Sequence, residues 1–367
     1  MPAETPAPAS LDLTADPVAI TRAICDIPSE SGEERVLADL IEQALAGASH
    51  LEVVRDGDAI VARTNLGRAR RVVIAGHIDT VPINGNVPTR FETDPDGTEY
   101  LWGRGTVDMK AGVAVQLKLA LELAEPIVDL TWMWYDHEEV SAALNGLGRL
   151  AANRPDLFEG DFAILGEPSN GQVEGGCNGT LRAEVRATGL RAHSARSWVG
   201  ENAIHKLSPA LAKLAAYEAE TVEVDGLAYR EGLNAVIVRG GIAGNVIPDE
   251  AVLEVNYRFA PSKSAAEAAE FVTSFFDGYE VTVVDSADGA RPGLDDPLAQ
   301  EFVRAVGAEP RPKYGWTDVA RFSALGVPAV NFGPGDPLKA HADDERVAVH
   351  QIVDGERALR AWLTGAA

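Results

Sequence analysis

Five residues able to ligate a metal, His77, Asp108, Glu139, Glu167 and His341, each follow an apolar run or a glycine-rich turn. Residues 71–76 lead into His77, 130–135 into Glu138 and Glu139, and 162–166 into Glu167. Each of these three runs reads as a strand. In an open α/β sheet, ligands bind beyond the carboxyl ends of the strands. Side chains scattered between positions 77 and 341 are therefore expected to meet at one site. Two imidazoles and three carboxylates suit Zn²⁺ or a similar transition metal.

Each motif by itself has more than one reading. In Gly76-His77-Ile78-Asp79-Thr80, Asp79 is placed to take the second ring N–H of a metal-bound His77. A surface histidine beside an aspartate has the same spelling. Asp108, in Gly103-Arg104-Gly105-Thr106-Val107-Asp108-Met109-Lys110, opens a long helical stretch. It suits an N-cap, or a carboxylate shared by two ions ~3.5–4 Å apart. In Asp136-His137-Glu138-Glu139, successive residues at a strand end point to opposite sides. One glutamate is then expected to hold metal and the other to face substrate as a general base. His137 is left out of the ligand set, because the roughly four to five positions of a zinc ion are already supplied. Glu167 lies in Gly166-Glu167-Pro168-Ser169, and Gly333-Pro334-Gly335 precedes His341.

The chain that must position these groups has 367 residues, a length that suits two domains. It is 46% apolar and 24% charged, as expected of a soluble protein with a sizeable core. No apolar run approaches the ~20 residues needed to cross a membrane. The Pro/Ala-rich residues 1–10 lack a basic stretch followed by an apolar one, so they read as a frayed tail, not a signal peptide. Cys25 and Cys177 are the only cysteines. They provide no disulfide framework and fit buried thiols in a reducing cytoplasm. A net charge of −24 argues against nucleic acid and anionic lipid, and a solvated acidic surface accounts for most of it.

Apolar spacing predicts helices over 16–27 and 32–45, the second with Ser31 and Glu34 as a capping box. Residues 51–55 and 59–63 alternate like a hairpin. Strands are expected over 71–75, 130–135 and 162–165, with a helix over 110–124 between the first two. This alternation predicts an α/β fold with a mainly parallel, doubly wound sheet. The pattern then changes to strand 180–187, helix 202–217, strands 235–241 and 251–259, helix 264–276 started by Ser262 or Ser264, and strand 279–285. That β-α-β-β-α-β order is a ferredoxin-like α+β arrangement, inserted over residues 178–290 with junctions at 175–176 and 290–293. The parts 1–177 and 291–367 would form the metal-binding domain. Its last elements are helices 297–306, 318–324 and 349–364 and strand 328–332.

The segments GHIDTVP, GRGTVDMK, the Glu-Glu pair, GEPS, GNVIP and the late GPG followed by His341 occur in this order along nearly the whole chain. In this the chain resembles the co-catalytic zinc aminoacylase/carboxypeptidase family of amidohydrolases. The resemblance implies a metallopeptidase-like sheet, an inserted dimerisation domain and two divalent ions, Zn²⁺ foremost and Co²⁺ as a substitute. It implies that His77, Asp108, Glu139, Glu167 and His341 are ligands, with Asp108 bridging. Glu138 would be the general base, and Asp79 would orient His77. His193 of the inserted domain would reach across a homodimer to the oxyanion. Asn245, Arg258 and Thr317 would touch substrate, while Arg321 is read as structural. His137 before the Glu-Glu pair and Val140 after it depart from the family's usual residues. GCNGTLRAEV, RAHSARSWVG, REGLNAV, GNVIPDE, NYRFAPS and GWTDVARFSALG narrow the resemblance. They imply hydrolysis of a small acylated amino acid, N-succinyl-L,L-diaminopimelate, in lysine and cell-wall precursor synthesis. Acetylornithine deacetylation and dipeptide or carboxypeptidase cleavage use the same core and remain rivals. An inactive metal-dependent binding protein is the alternative of another class, disfavoured because Glu138 is present.

Overall fold

Asp129–Tyr135 and Arg71–His77 are β-branched or aromatic runs with almost no exposed residue. Such segments bury both faces and suit the middle of a sheet covered by helices. The computed structural model of the protein describes residues 10–366, so nearly all of the expected N-terminal tail lies outside the described residues. The two strands lie side by side in parallel, with His77 opposite Tyr135. Phe162–Leu165 flanks Arg71–His77 in parallel and pairs Leu165 with Ala75. Ala329–Asn331 continues the parallel set beyond Phe162–Leu165. The hairpin Glu52–Asp56 and Ala59–Arg63 is antiparallel on one side, and Glu174–Gly175 is antiparallel on the other. The eight-stranded sheet is thus mixed, parallel at its centre and antiparallel toward both edges.

Lys110–Glu122 is buried on nearly all sides, unlike an amphipathic surface helix. Gly112 lets it approach the sheet: a Cβ there would collide with the Gly166 carbonyl oxygen. The first helix, Pro17–Cys25, is set by Asp16, whose carboxylate accepts the N–H groups of Val18 and Ala19. Helices Pro297–Val306 and Val349–Thr364 pack through Phe302, Trp362 and Phe162, with ring centroids 4.9–6.2 Å apart.

The chain divides into two compact units. Of the described residues, the first holds those up to Gly175, Gly293–Arg311 and those from Arg321 onward. The second holds Gly176–Pro292 and also Pro312–Ala320, a stretch that the sequence places with the metal-binding part. In the second unit the sheet order is Gly232–Gly240, Glu250–Phe259, Gly179–Thr188, Glu280–Ala287, all antiparallel. This is the ferredoxin-like order. Helix Ala265–Phe275 starts at Ser264 with a complete capping box to Glu267.

Several expectations need correction. Ser31 and Glu34 form no capping box. Ser31 Oγ donates to Asp79 Oδ2 at 2.7 Å, Glu34 Oε1 accepts from the Gly32 and His137 N–H groups, and the helix runs only Arg35–Leu45. The expected helix over 202–217 is two helices, Ala203–Lys206 and Ser208–Ala215. Pro209 has no N–H to continue the first one. Asp108 is not an N-cap, since Met109 occupies that position and the helix has no side-chain cap. Two hairpins were not anticipated: Arg90–Thr93 with Glu99–Trp102, and Thr221–Val224 with Leu227–Arg230.

Candidate metal centre

The parallel register brings the carboxyl ends of three interior strands to the same end of the sheet. His77 ends its strand opposite Tyr135, Glu138 and Glu139 follow three and four residues later, and Glu167 lies two residues past Leu165. His77 is 1% exposed and Glu167 is buried. Asp108 arrives from the turn before helix Lys110–Glu122. Its Oδ1 lies 3.1 Å from His77 Nε2, and its Oδ2 lies 3.4 Å from His341 Nε2. His341 Nε2 also lies 3.1 and 3.0 Å from the two oxygens of Glu139. His77, Asp108 and Glu139 can each offer a ligand atom within 4.8 Å of the others. One carboxylate therefore faces two imidazoles through separate oxygens, the arrangement expected of a bridging ligand.

The electrostatics are those of a cation site. Burial opposes protonation of His77, yet its bonds to Asp108 and Asp79 hold its pKa well above the imidazole range. Asp108, with Glu139 beside it, lifts His341 to about 10. Despite burial, the two imidazoles hold the Asp108 carboxyl far below its usual range. Burial raises Glu139, and the Asp108 charge adds to the rise. Imidazoles that keep protons among carboxylates mark a place where positive charge is favourable. A divalent cation displaces such protons and supplies that charge. The donor set fits nitrogen- and oxygen-ligated zinc or cobalt.

Asp79 does more than the sequence suggests. His77 Nδ1 is closer to the Asp79 carbonyl oxygen, at 3.0 Å, than to its carboxylate, at 3.4 Å. The carboxylate instead accepts the N–H groups of Glu138 and Glu139, both at 3.0 Å, and the Ser31 hydroxyl. The strand ends at Tyr135, and His137 turns the chain with φ 59°. Strand alternation therefore does not separate the two glutamates; the turn and the Asp79 anchor set their positions. His137 is held by Asp136 and Glu34 through its ring and N–H. It is not part of the three-residue group His77, Asp108 and Glu139, and neither are the expected ligands Glu167 and His341, of which His341 contacts Asp108 and Glu139.

The other expected site residues lie in the second unit. His193 pairs across a short bridge with Val246, and Ser194 N–H donates to the Asn245 carbonyl, so His193 and Asn245 are neighbours. Both are exposed. His193 Nδ1 accepts the Ala195 N–H at 3.0 Å, which assigns the neutral ring's proton to Nε2. Arg258 is half-buried and donates through Nε to Asn256, with no carboxylate within ion-pair distance among the described residues. Burial pulls its pKa below the usual guanidinium range. Thr317 is buried and accepts the Cys177 thiol through its carbonyl oxygen.

Residues 73–364 match the description "Peptidase family M20/M25/M40". The chain is 54% identical over 358 residues to a putative succinyl-diaminopimelate desuccinylase of Mycobacterium tuberculosis, covering 97% of this chain and 100% of the other. It is 50% identical over 365 residues to a succinyl-diaminopimelate desuccinylase of Corynebacterium glutamicum, covering 96% and 98%. A tripeptidase from Staphylococcus aureus has the same fold, with a TM-score of 0.77 at 20% identity and coverage of 95% and 97%.

Proposed function

The chain belongs to peptidase family M20/M25/M40, and on that premise we propose that it hydrolyses N-succinyl-L,L-diaminopimelate to succinate and L,L-diaminopimelate. The observation that carries the chemistry is Asp108, whose two oxygens are divided between His77 and His341. Identity along nearly the full length to two proteins named for this substrate supports the choice of acyl group.

His77, Asp108 and Glu167 would hold one divalent ion, and Asp108, Glu139 and His341 the other, with Zn²⁺ the proposed metal. When bound, the ions supply Lewis-acid polarisation of the amide carbonyl and make water acidic enough to lose a proton near neutral pH. Glu138 takes the proton of the attacking water and delivers it to the departing amine. Asp79 fixes the backbone of Glu138 and Glu139 together, so base and ligand keep one spacing. The Nε2–H of His193 is free to donate to the developing oxyanion. Arg258 is a guanidinium with no carboxylate partner among the described residues, suited to grip one from the substrate, with Asn245 and Thr317 as further contacts.

His193 is proposed to act in the partner protomer of a homodimer. Strand Gly232–Gly240 lies at a sheet edge, and Val236, Val238 and the nearby Ile242 are 52–67% exposed. An edge with unpaired backbone groups and exposed apolar side chains invites pairing. The proposed location is the cytoplasm, which suits two free, buried cysteines. Among the described residues no helix is long and apolar enough to cross a membrane.

The test is a substrate panel on the zinc-loaded protein. Succinyl-diaminopimelate should give the highest kcat/KM, above acetylornithine and dipeptides. Faster hydrolysis of acetylornithine would overturn the acyl-group assignment and leave the two-cation chemistry standing.

A further inference from the structure

Asp108 and His341 reach the metal centre from two loops, and neither loop is regular secondary structure at the ligand. The loops grow from neighbouring strands, Glu99–Trp102 and Arg346–Ala348, where Arg346 pairs with Trp102. Beyond that pair, one buried ion pair ties them. Arg104 and Glu345 are 4% and 1% exposed, and their charged atoms lie 2.6 Å apart. The other oxygen of Glu345 accepts the N–H groups of Val107 at 2.9 Å and Asp108 at 3.1 Å. Arg104 in turn donates to the carbonyl oxygen of Ala342, next to His341, at 3.3 Å, and to that of Pro82. The Glu345 carbonyl accepts the Gly103 N–H at 3.0 Å. Each partner therefore grips the other's loop, one residue or less from a metal ligand.

This clamp needs a reason beyond packing. Burying a charge pair costs desolvation, and a well-packed apolar pair often stabilises a protein as much. What an apolar pair cannot do is accept two consecutive backbone N–H groups on one loop while donating to a carbonyl on the other. Metal affinity depends on ligands being held within about 0.5 Å of their working positions by such supporting contacts. We propose that Glu345, held by Arg104, is a positioning residue that fixes the carboxylate of Asp108 relative to His341 and so sets the affinity of the ion those two ligands share with Glu139. Glu345 is buried, spends its carboxylate on Arg104 and the Val107 and Asp108 N–H groups, and is not itself among the proposed ligands. The inference rests on the two-ion reading above.

The test is zinc titration of the metal-stripped, full-length protein, resolving both binding steps, with thermal unfolding of the metal-free chains alongside. Glu345→Gln should weaken one of the two zinc ions by about 10–100-fold, the usual cost of losing a contact behind a ligand, and leave the other near its parent affinity. Activity should fall at limiting zinc and return at saturating zinc. The double variant Arg104→Met with Glu345→Gln removes both charges together, strands no lone charge in the interior, and decides the matter if the single variant does not fold. It should show the same selective loss. Unchanged affinity for both ions, even with a lowered unfolding temperature, would reduce the pair to a structural one and overturn the proposal. A parent protein that binds a single zinc would instead overturn the two-ion reading.

Discussion

His77 and His193 are proposed for one reaction, yet their surroundings are opposite. His77 is sealed in the first unit, with both ring nitrogens engaged and a carboxylate on either side. His193 sits in the open on the second unit, with one ring nitrogen taken by a neighbouring N–H. The same contrast separates Asp108, tied by backbone and side chain, from Arg258, which has no carboxylate within ion-pair distance among the described residues. One region carries its counter-charges within the fold, as a cation site must. The other presents donors whose partners are proposed to come from substrate or from a second copy of the chain.

The sharpest way to break this comparison is to remove the cation. Stripping divalent metal should abolish hydrolysis, and Zn²⁺ or Co²⁺ should restore it. Full activity in protein with no transition metal by elemental analysis would refute the assignment of the buried cluster. Next in size is the division of labour between adjacent glutamates. Glu138→Gln should keep zinc and lose about 10²–10⁴ in kcat, whereas Glu139→Gln should lose zinc affinity. The reverse pattern would exchange their roles. Mixing inactive Glu138→Gln chains with inactive His193→Ala chains extends the test to the second unit. Subunit exchange should regain activity, because some heterodimer sites combine an intact base with an intact histidine. Proven heterodimers without activity would place His193 in its own subunit's site or outside the reaction.

A smaller effect is expected at Arg258. Losing one charge-assisted hydrogen bond costs roughly 1.5–3 kcal/mol, so Arg258→Ala should lower kcat/KM for succinyl-diaminopimelate by about 10–150-fold. A substrate lacking the matching carboxylate should suffer much less. Equal loss on all substrates would make Arg258 structural. The smallest signal is in protons. His77 and His341 have folded pKa values above that of a free imidazole, so their protonation stabilises the metal-free fold fully below about pH 6.5. That contribution is lost as pH rises through the folded values, about 10 for His341. Zinc must displace those protons, so its affinity should rise with pH across this window and binding at neutral pH should release protons. Calorimetry in buffers of different ionisation enthalpy measures the release, and none would mean that the imidazoles enter the site already neutral.

Much of the sheet was legible in the sequence. A short β-branched or aromatic run flanked by helical spacing has few alternatives, and strands 71–77, 129–135 and 162–165 form where the pattern puts them. Other signals were present and went unread. Asp225-Gly226 is a two-residue turn with positive φ at both positions, which marks the hairpin it closes. Pro209 announced the helix break at Leu207. The failed capping box is different in kind: Ser31 and Glu34 had the right spacing, but Asp79 and the N–H of His137 drew their side chains away.

By itself the sequence determined the chemistry on offer and roughly where the chain would present it. Residue type fixes which atoms can ligate, and local periodicity fixes which residues end a strand. Only the tertiary structure decided which of those atoms meet. The carboxylate of Asp79 anchors Glu138 and Glu139, 59 and 60 residues away, and Glu345 reaches the backbone of Asp108 across 237 residues. Such contacts leave no local periodicity, because they arise when strand register and loop course bring distant backbone N–H groups to one buried acceptor. A buried donor or acceptor must find a partner, but the chain's course through space chooses which one.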